Sequence, residues 1–128
     1  MRPRRLVAGR RVGAVEAEVL ECLWRAGRPL SVREVIAELS GKRRAYTTVM
    51  TMLTRLVEKD LVRRLPAGRS FLYEPSGTED ELAAGALRDL LDATQDRRAV
   101  LARFVDQISD DPELLRQLRE IVGREAEP

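Results

Sequence analysis

Residues 45–75 read AYTTVMTMLTRLVEKDLVRRLPAGRSFLYEP, and the spacing of their apolar residues changes part-way along. In the first half, apolar side chains recur at steps of three and four residues, which predicts a helix from Ala45 to Lys59. The apolar face of this helix comprises Val49, Met52, Leu53, Leu56 and Val57. In the second half the period becomes two around the turn Pro66-Ala-Gly68-Arg69, which predicts a β-hairpin from Leu61 to Pro75.

Two further helices precede this segment. An apolar stripe begins at Val12 and predicts a first helix that ends near Gly27. Ser31 and Glu34 then have the spacing of a capping box, which starts a second helix, and Ser40-Gly41 ends it. Three helices followed by a hairpin form the order of a winged helix-turn-helix. The sequence therefore predicts a mainly α fold (α+β, winged helix-turn-helix), with residues 12–75 as the DNA-binding domain.

The solvent face of the third helix is the main functional signal. Most exposed helix faces in a charge-rich protein carry Glu, Lys and Arg, but this one carries Thr47, Met50, Thr51, Thr54, Arg55 and Glu58. Threonine is a poor helix former, so its repeated use on this face indicates a function other than helix stability. Short hydroxyl side chains can approach base edges in the major groove. The alternative, that the threonines are merely tolerated, remains open at this stage.

The charge distribution supports contact with a polyanion. Residues 1–75 hold 16 Lys or Arg against 8 acids, a net charge of +8, whereas residues 76–128 have a net charge of −6. We expect Arg63, Arg64 and Arg69 on the hairpin to contact backbone phosphates. Two alternatives remain: hairpin arginines also protect an edge strand from pairing, and an arginine-rich chain also results from GC-biased codon usage.

Composition excludes most other classes of function. The chain has one cysteine and no histidine, so an intrachain disulfide, a histidine general base and an ordinary zinc site are excluded. We expect no enzyme activity, no cofactor and no metal. No apolar run approaches the roughly 18–20 residues of a membrane span, so we expect a cytoplasmic protein without membrane insertion. Two rivals remain: a winged helix that contacts only other proteins, and an enzyme limited to carboxylates, the lone thiol or a lysine.

The two ends of the chain have distinct predicted roles. Residues 1–11 are basic and lack periodicity, and we expect a flexible arm that either follows the minor groove or has no function. Residues 76–128 contain three amphipathic helices that are too short to form a large core alone, which favours a helical homodimerisation domain. Folding back onto the winged domain is the alternative. The candidate dimer contacts are Leu90, Leu101, Phe104, Val105, Ile108, Leu115 and Leu118.

Several stretches resemble the BlaI/MecI family of penicillinase repressors, over about residues 12–122. They are GAVEAEVLECLW from Gly13, SVREV from Ser31, AYTTVMT from Ala45 and GRSFLY from Gly68. The resemblance implies a dimer that binds a palindromic operator and represses resistance genes. It implies base contacts from the third helix and phosphate contacts from Arg55 and the hairpin. We also expect phosphate contacts from the basic hinge Lys42-Arg43-Arg44. The candidate DNA-binding residues are Arg44, Tyr46, Thr47, Thr48, Met50, Thr51, Arg55, Arg63, Arg64 and Arg69.

The resemblance also suggests how repression would be relieved. In well-known members a membrane-embedded sensor protease cuts an Asn-Phe bond in the dimerisation domain. The matching bond here is Arg103-Phe104, so arginine replaces the asparagine and a protease of this kind would need a different specificity. Phe104 is otherwise a core aromatic at a dimer interface. Copper-responsive relatives carry a C-terminal cysteine cluster, whereas Cys22 lies in the first helix, where a buried thiol is expected.

Overall fold

The computed structural model describes residues 5–39 and 44–126, which form six helices and two hairpins. The helices and strands follow one another as β1 (Arg5–Val7), β2 (Arg10–Val12), α1 (Ala14–Ala26), α2 (Val32–Glu38), α3 (Tyr46–Glu58), β3 (Val62–Ala67), β4 (Ser70–Pro75), α4 (Glu79–Ala93), α5 (Arg97–Gln107) and α6 (Pro112–Ala126). The three N-terminal helices and the wing, β3–β4, confirm the predicted winged helix-turn-helix order. The predicted end of α2 at Ser40-Gly41 and the first two residues of the basic hinge, Lys42 and Arg43, lie outside the described residues.

The winged domain is held by one apolar core. α1, α2 and α3 supply buried leucines and valines to it, and the wing contributes Tyr73, which is 1% exposed. β3 and β4 pair in antiparallel register, with Arg64 opposite Tyr73 and Ala67 opposite Ser70. The N–H and the carbonyl of Leu30 both bond to the backbone of Tyr73, at 2.9 and 2.8 Å. The wing is therefore fixed to the segment that enters α2.

Side-chain caps begin the helices where the sequence predicts them. Ser31 Oγ accepts the N–H of Glu34, and the Glu34 carboxylate accepts the N–H of Ser31 at 2.9 Å, a complete capping box. The hydrogen bond from the Ser31 N–H, helped by the Arg28 guanidinium, lowers the pKa of Glu34. Thr78 and Glu81 form the same arrangement before α4. These local signals explain why the predicted helix starts are confirmed.

The N-terminal segment differs from the flexible arm expected over residues 1–11. Within its described part, β1 and β2 pair antiparallel, and Val7 and Ala8 are buried in the core. Gly9 turns the chain with φ +79°. The prediction failed because each strand has only three residues, too few to produce a visible period of two. Apolar Leu6-Val7-Ala8 is enough to anchor the hairpin once a core is present.

The C-terminal region is helical, as predicted, but its boundary lies further along the chain. The described chain separates into two compact units after Leu87, inside α4, and not after Pro75. The first turns of α4 belong to the winged unit because Leu82 packs against its core. Within residues 5–39 and 44–126, no helix is both long and apolar enough to cross a membrane.

The candidate dimer contacts have different exposures in the single chain. Leu90, Leu101, Phe104 and Val105 are exposed, and Leu115 and Leu118 are half-buried. Ile108 differs from the expectation, since it is already buried within the chain. It follows α5 directly and its N–H bonds to the Phe104 carbonyl, so it serves the fold of one chain before any partner is present.

Candidate nucleic-acid interface

α3 is half core and half surface, as its periodicity requires. Val49, Leu53 and Leu56 are buried against the other helices. Thr47 and Thr51 are exposed on the opposite side. The helix therefore presents a narrow face of small hydroxyl side chains, which allows its backbone to come close to a flat or grooved surface.

Two threonine hydroxyls of α3 are already hydrogen-bonded to their own helix. Thr51 Oγ1 donates to the Thr47 carbonyl at 2.8 Å, and Thr54 Oγ1 donates to the Met50 carbonyl at 2.9 Å. This back-bonding is common for threonine within helices and fixes the side-chain rotamer. The Thr51 hydroxyl oxygen retains its lone pairs, and the Thr51 side chain also carries a methyl group. It can accept a hydrogen bond from an exocyclic amino group or touch a thymine methyl.

A cleft of about 240 Å³ separates the start of α3 from the wing. It is lined by Ser31, Val32, Arg33, Tyr46, Met50, Arg69, Ser70, Phe71 and Tyr73. The guanidinium carbon of Arg33 lies 5.5 Å from the centroid of the Tyr46 ring, within cation–π range. Two arginines from different elements thus share one cleft beside the threonine face.

Arg33 is the main residue that sequence reasoning missed. It lies on α2, the first helix of the helix-turn-helix pair, and that helix crosses the DNA backbone in such motifs. Its position in SVREV immediately after the Ser31 cap was the available signal. Ser31 and Ser70 also line the cleft and were not singled out as contacts.

The wing arginines have three different environments. Arg63 pairs with Glu74 across the strands at 2.9 Å, so much of its charge is neutralised. Arg64 lies over the Phe71 ring, with its guanidinium carbon 4.1 Å from the centroid. Arg69 is exposed in the two-residue turn, next to Gly68 with φ +63°. Arg69 is therefore the wing residue best placed to reach a backbone phosphate.

Two residues predicted to contact DNA also have partners within the chain. Met50 is half-buried, and its sulfur accepts a long hydrogen bond from the Tyr73 hydroxyl of the wing, at 3.8 Å. Arg44 pairs with Glu18 of α1 at 3.3 Å and is mostly covered. Each residue therefore has an intramolecular contact, and its contact with DNA stays a prediction. Thr48 is half-buried as well.

A buried carboxylate joins α1 to the end of α3. Glu16 is only 5% exposed, and its carboxylate lies 2.5 Å from Lys59 Nζ and 3.9 Å from the Arg55 guanidinium. Lys59 Nζ also donates to the Arg11 carbonyl at 3.0 Å. Arg55 therefore keeps an exposed guanidinium, and its contact with the Glu16 carboxylate is long.

The start of α3 is not capped by a side chain. Its N-cap is Ala45, which supplies no hydrogen bond to the first turn, whereas Ser31 and Asp96 cap α2 and α5. Uncapped N–H groups and the positive end of the helix dipole attract anions. Arg33 lies over Tyr46, the first residue of this turn.

The described residues give no support for a metal site. No group of three or more His, Cys, Asp or Glu side chains is arranged there to hold a metal ion. Cys22 is buried in α1, and burial raises the pKa of its thiol. It therefore behaves as a small apolar core residue, in agreement with the expectation.

The comparison with protein families identifies the group to which this sequence belongs. The family model described as penicillinase repressor matches residues 12–124, which is most of the chain. The chain belongs to the penicillinase repressor family. The transcriptional regulator BlaI of Mycobacterium tuberculosis is 40% identical to this family member over 112 residues, which cover 84% of this chain and 81% of that protein. This penicillinase repressor homologue is therefore a transcriptional regulator and not an enzyme.

Solved structures similar to this family member include those of two other bacterial proteins. One is the monomeric form of BlaI from Bacillus licheniformis, solved in complex with the blaP half-operator. It is 30% identical, has a TM-score of 0.44 and covers 63% of this chain and 90% of its own. Apo MarR from Escherichia coli is 23% identical with a TM-score of 0.46, covering 77% and 78%. The family assignment rests on the sequence match.

Proposed function

We propose that this protein is a homodimeric transcriptional repressor that binds a palindromic operator, with α3 of each subunit in a major groove. The observation that carries the proposal is the exposed threonine face of α3 beside a cleft that holds Arg33 and Arg69. The match to the penicillinase repressor family supports assigning the regulated genes to a β-lactam-resistance or stress-response operon. Base reading and phosphate contact are assigned to different residues, so they can be tested separately.

Thr47 and Thr51 are assigned to base reading. Both are exposed in the first two turns of α3, where a recognition helix contacts base edges. Their side chains are short, so they do not hold the helix away from the groove floor. The rotamer of Thr51 is fixed by its bond to the Thr47 carbonyl, which lowers the entropic cost of ordering it on DNA.

Phosphate contacts are assigned to the groups around the cleft beside that face. They are Arg33 on α2, the uncapped start of α3 and Arg69 at the wing tip. Arg64, over the Phe71 ring that lines the cleft, adds positive charge there, and Tyr46 is exposed beside Arg33. Arg55 adds an exposed guanidinium at the other end of α3. Because phosphate contacts are independent of sequence, they supply affinity and salt dependence.

Dimerisation is assigned to the apolar residues that α4, α5 and α6 leave exposed. They include Leu90, Leu101, Phe104, Val105, Ile121 and Val122. A run of large exposed apolar residues of this size is typical of an interface. Two subunits joined there would read two half-sites about one helical turn apart.

Relief of repression by a membrane sensor protease would act on this same region. The Arg103-Phe104 bond lies in the middle of α5, so the helix must unwind locally before a protease can cut it. Cutting there would separate the interface residues Leu101 and Phe104, and the half-sites would then be bound one at a time.

The proposal predicts different effects of two kinds of substitution. Arg69→Ala should weaken binding to operator and to random duplex alike. It should also make the negative slope of log K against log salt shallower by about 1. Thr47→Ala and Thr51→Ala should instead reduce the preference for operator over random duplex by about fivefold to tenfold, the value of one lost base contact. Fluorescence anisotropy titrations at two salt concentrations measure both quantities.

Controls make this comparison specific. Thr51→Val keeps the methyl group and the shape of the side chain, so it separates loss of the hydroxyl from loss of packing. Arg119→Ala removes an exposed arginine from α6, outside the winged domain, and should change neither quantity. If the threonine and arginine variants act identically on operator and random DNA, the assignment of α3 to the major groove is wrong.

A further inference from the structure

The β1–β2 hairpin adds structure before the part of the chain that matches the family. The family match begins at residue 12, where the hairpin ends. Val7 and Ala8, at the end of β1 and the turn, are buried in the core of the winged domain, together with Val12. The hairpin is therefore an integral part of that domain.

The hairpin contacts both the end of α3 and the beginning of α4. On one side, Lys59 Nζ, just after α3, donates to the carbonyl of Arg11 in β2. On the other side, the turn of the hairpin meets α4 so closely that a β-carbon added at Gly9 would overlap the Cβ of Ala86. Its positive φ also favours glycine at this position. One small element thus bridges two helices with different assigned roles.

Two further contacts hold the start of α4. Trp24 Nε1 of α1 donates to the Gly77 carbonyl at 3.0 Å, just before the Thr78 cap. Leu82 then packs against the core, one helical turn before Ala86 on the same face. Leu90, one turn further along, is 60% exposed. The start of α4, up to Ala86, is therefore fixed to the rest of the winged domain at three successive points.

We infer that the hairpin is a positioning element that fixes the direction in which α4 leaves the winged domain, and that it thereby sets the half-site spacing that the dimer accepts. A helix held at one point can pivot, whereas a helix held along two turns cannot. Because α4 leads into the dimerisation helices, its direction determines how far apart the two recognition helices lie. The inference rests on the proposed dimeric, palindromic mode of binding.

The test compares operators that differ only in half-site spacing. Ala86→Leu introduces a large side chain against Gly9 while retaining a good helix former in α4. Ala84→Leu makes the same change at an exposed position of the same helix and serves as the control. Each variant is titrated with the operator, with operators lengthened or shortened by one and two base pairs between half-sites, and with an isolated half-site.

For Ala86→Leu we expect unchanged half-site affinity and a preference for the native spacing that is reduced by about tenfold, since avidity depends on geometry. Ala84→Leu should behave as wild type. Trp24→Phe removes the bond to Gly77 and should reduce the preference in the same direction, which keeps the test valid if Ala86→Leu folds poorly. Unchanged spacing preference in both Ala86→Leu and Trp24→Phe would overturn the inference. A wild-type protein that shows no preference for paired half-sites would refute the proposed function itself.

Discussion

Replacing Phe104 with glutamate is expected to make the protein monomeric and to weaken its binding to the full operator by about 100-fold, because linked binding of two half-sites is lost. Phe104 is 44% exposed in the single chain, and Leu101 and Val105 beside it on α5 are 48% and 44% exposed. Burying a carboxylate among these side chains would be costly. Binding to an isolated half-site should not change, because the substitution lies outside the winged domain.

The measurement combines sedimentation equilibrium with titration of full operator and half-site. Ala102→Glu adds the same charge to another exposed position of α5, on a different side of the helix, and is expected to remain dimeric. If Phe104→Glu stays dimeric and keeps its full affinity for the operator, the dimer uses another surface and the assignment of this interface is wrong.

The second large effect is expected for Tyr73→Ala, which should lower the free energy of unfolding by about 4 kcal/mol. Tyr73 is the largest fully buried side chain of the winged domain, and its backbone holds Leu30 through two hydrogen bonds. Its ring also fills the space behind the cleft, next to Met50. Loss of the ring would leave a cavity between the wing and α3.

Urea unfolding followed by circular dichroism measures this effect. Tyr73→Phe is the matched control, because it removes only the hydroxyl, whose acceptor is the Met50 sulfur at 3.8 Å. Such a long bond to a weak acceptor contributes little, so Tyr73→Phe should cost less than about 1 kcal/mol. Equal losses for both variants would mean that the hydroxyl, and not the packing of the ring, holds the wing.

The features that sequence predicted correctly are those encoded locally. The capping pair Ser31/Glu34 lies three residues apart, so the start of α2 is encoded in a short segment. The change from a helical to a strand period after Lys59 is equally local. The winged helix-turn-helix order follows from adding such segments together, without knowledge of how they pack.

The features that sequence missed depend on contacts between distant residues. Arg44 was predicted only as a DNA contact, and its ion pair with Glu18, 26 residues away, was not foreseen. Arg33 gains its place in the candidate interface only because α2 packs against α3 and the wing. The short hairpin over residues 5–12 is stabilised by burial of Val7 and Ala8 in a core formed by later segments. A pattern within one segment cannot show any of these partners.

Selection of operator fragments provides the most direct test of the proposed repressor. The purified protein is mixed with random genomic fragments at two salt concentrations, and the retained fragments are sequenced. We expect an inverted repeat that is retained at both salts by the wild type, whereas Thr47→Ala should enrich it less. Retention that disappears with salt and yields no common motif would leave only a basic surface, and would contradict base reading by α3.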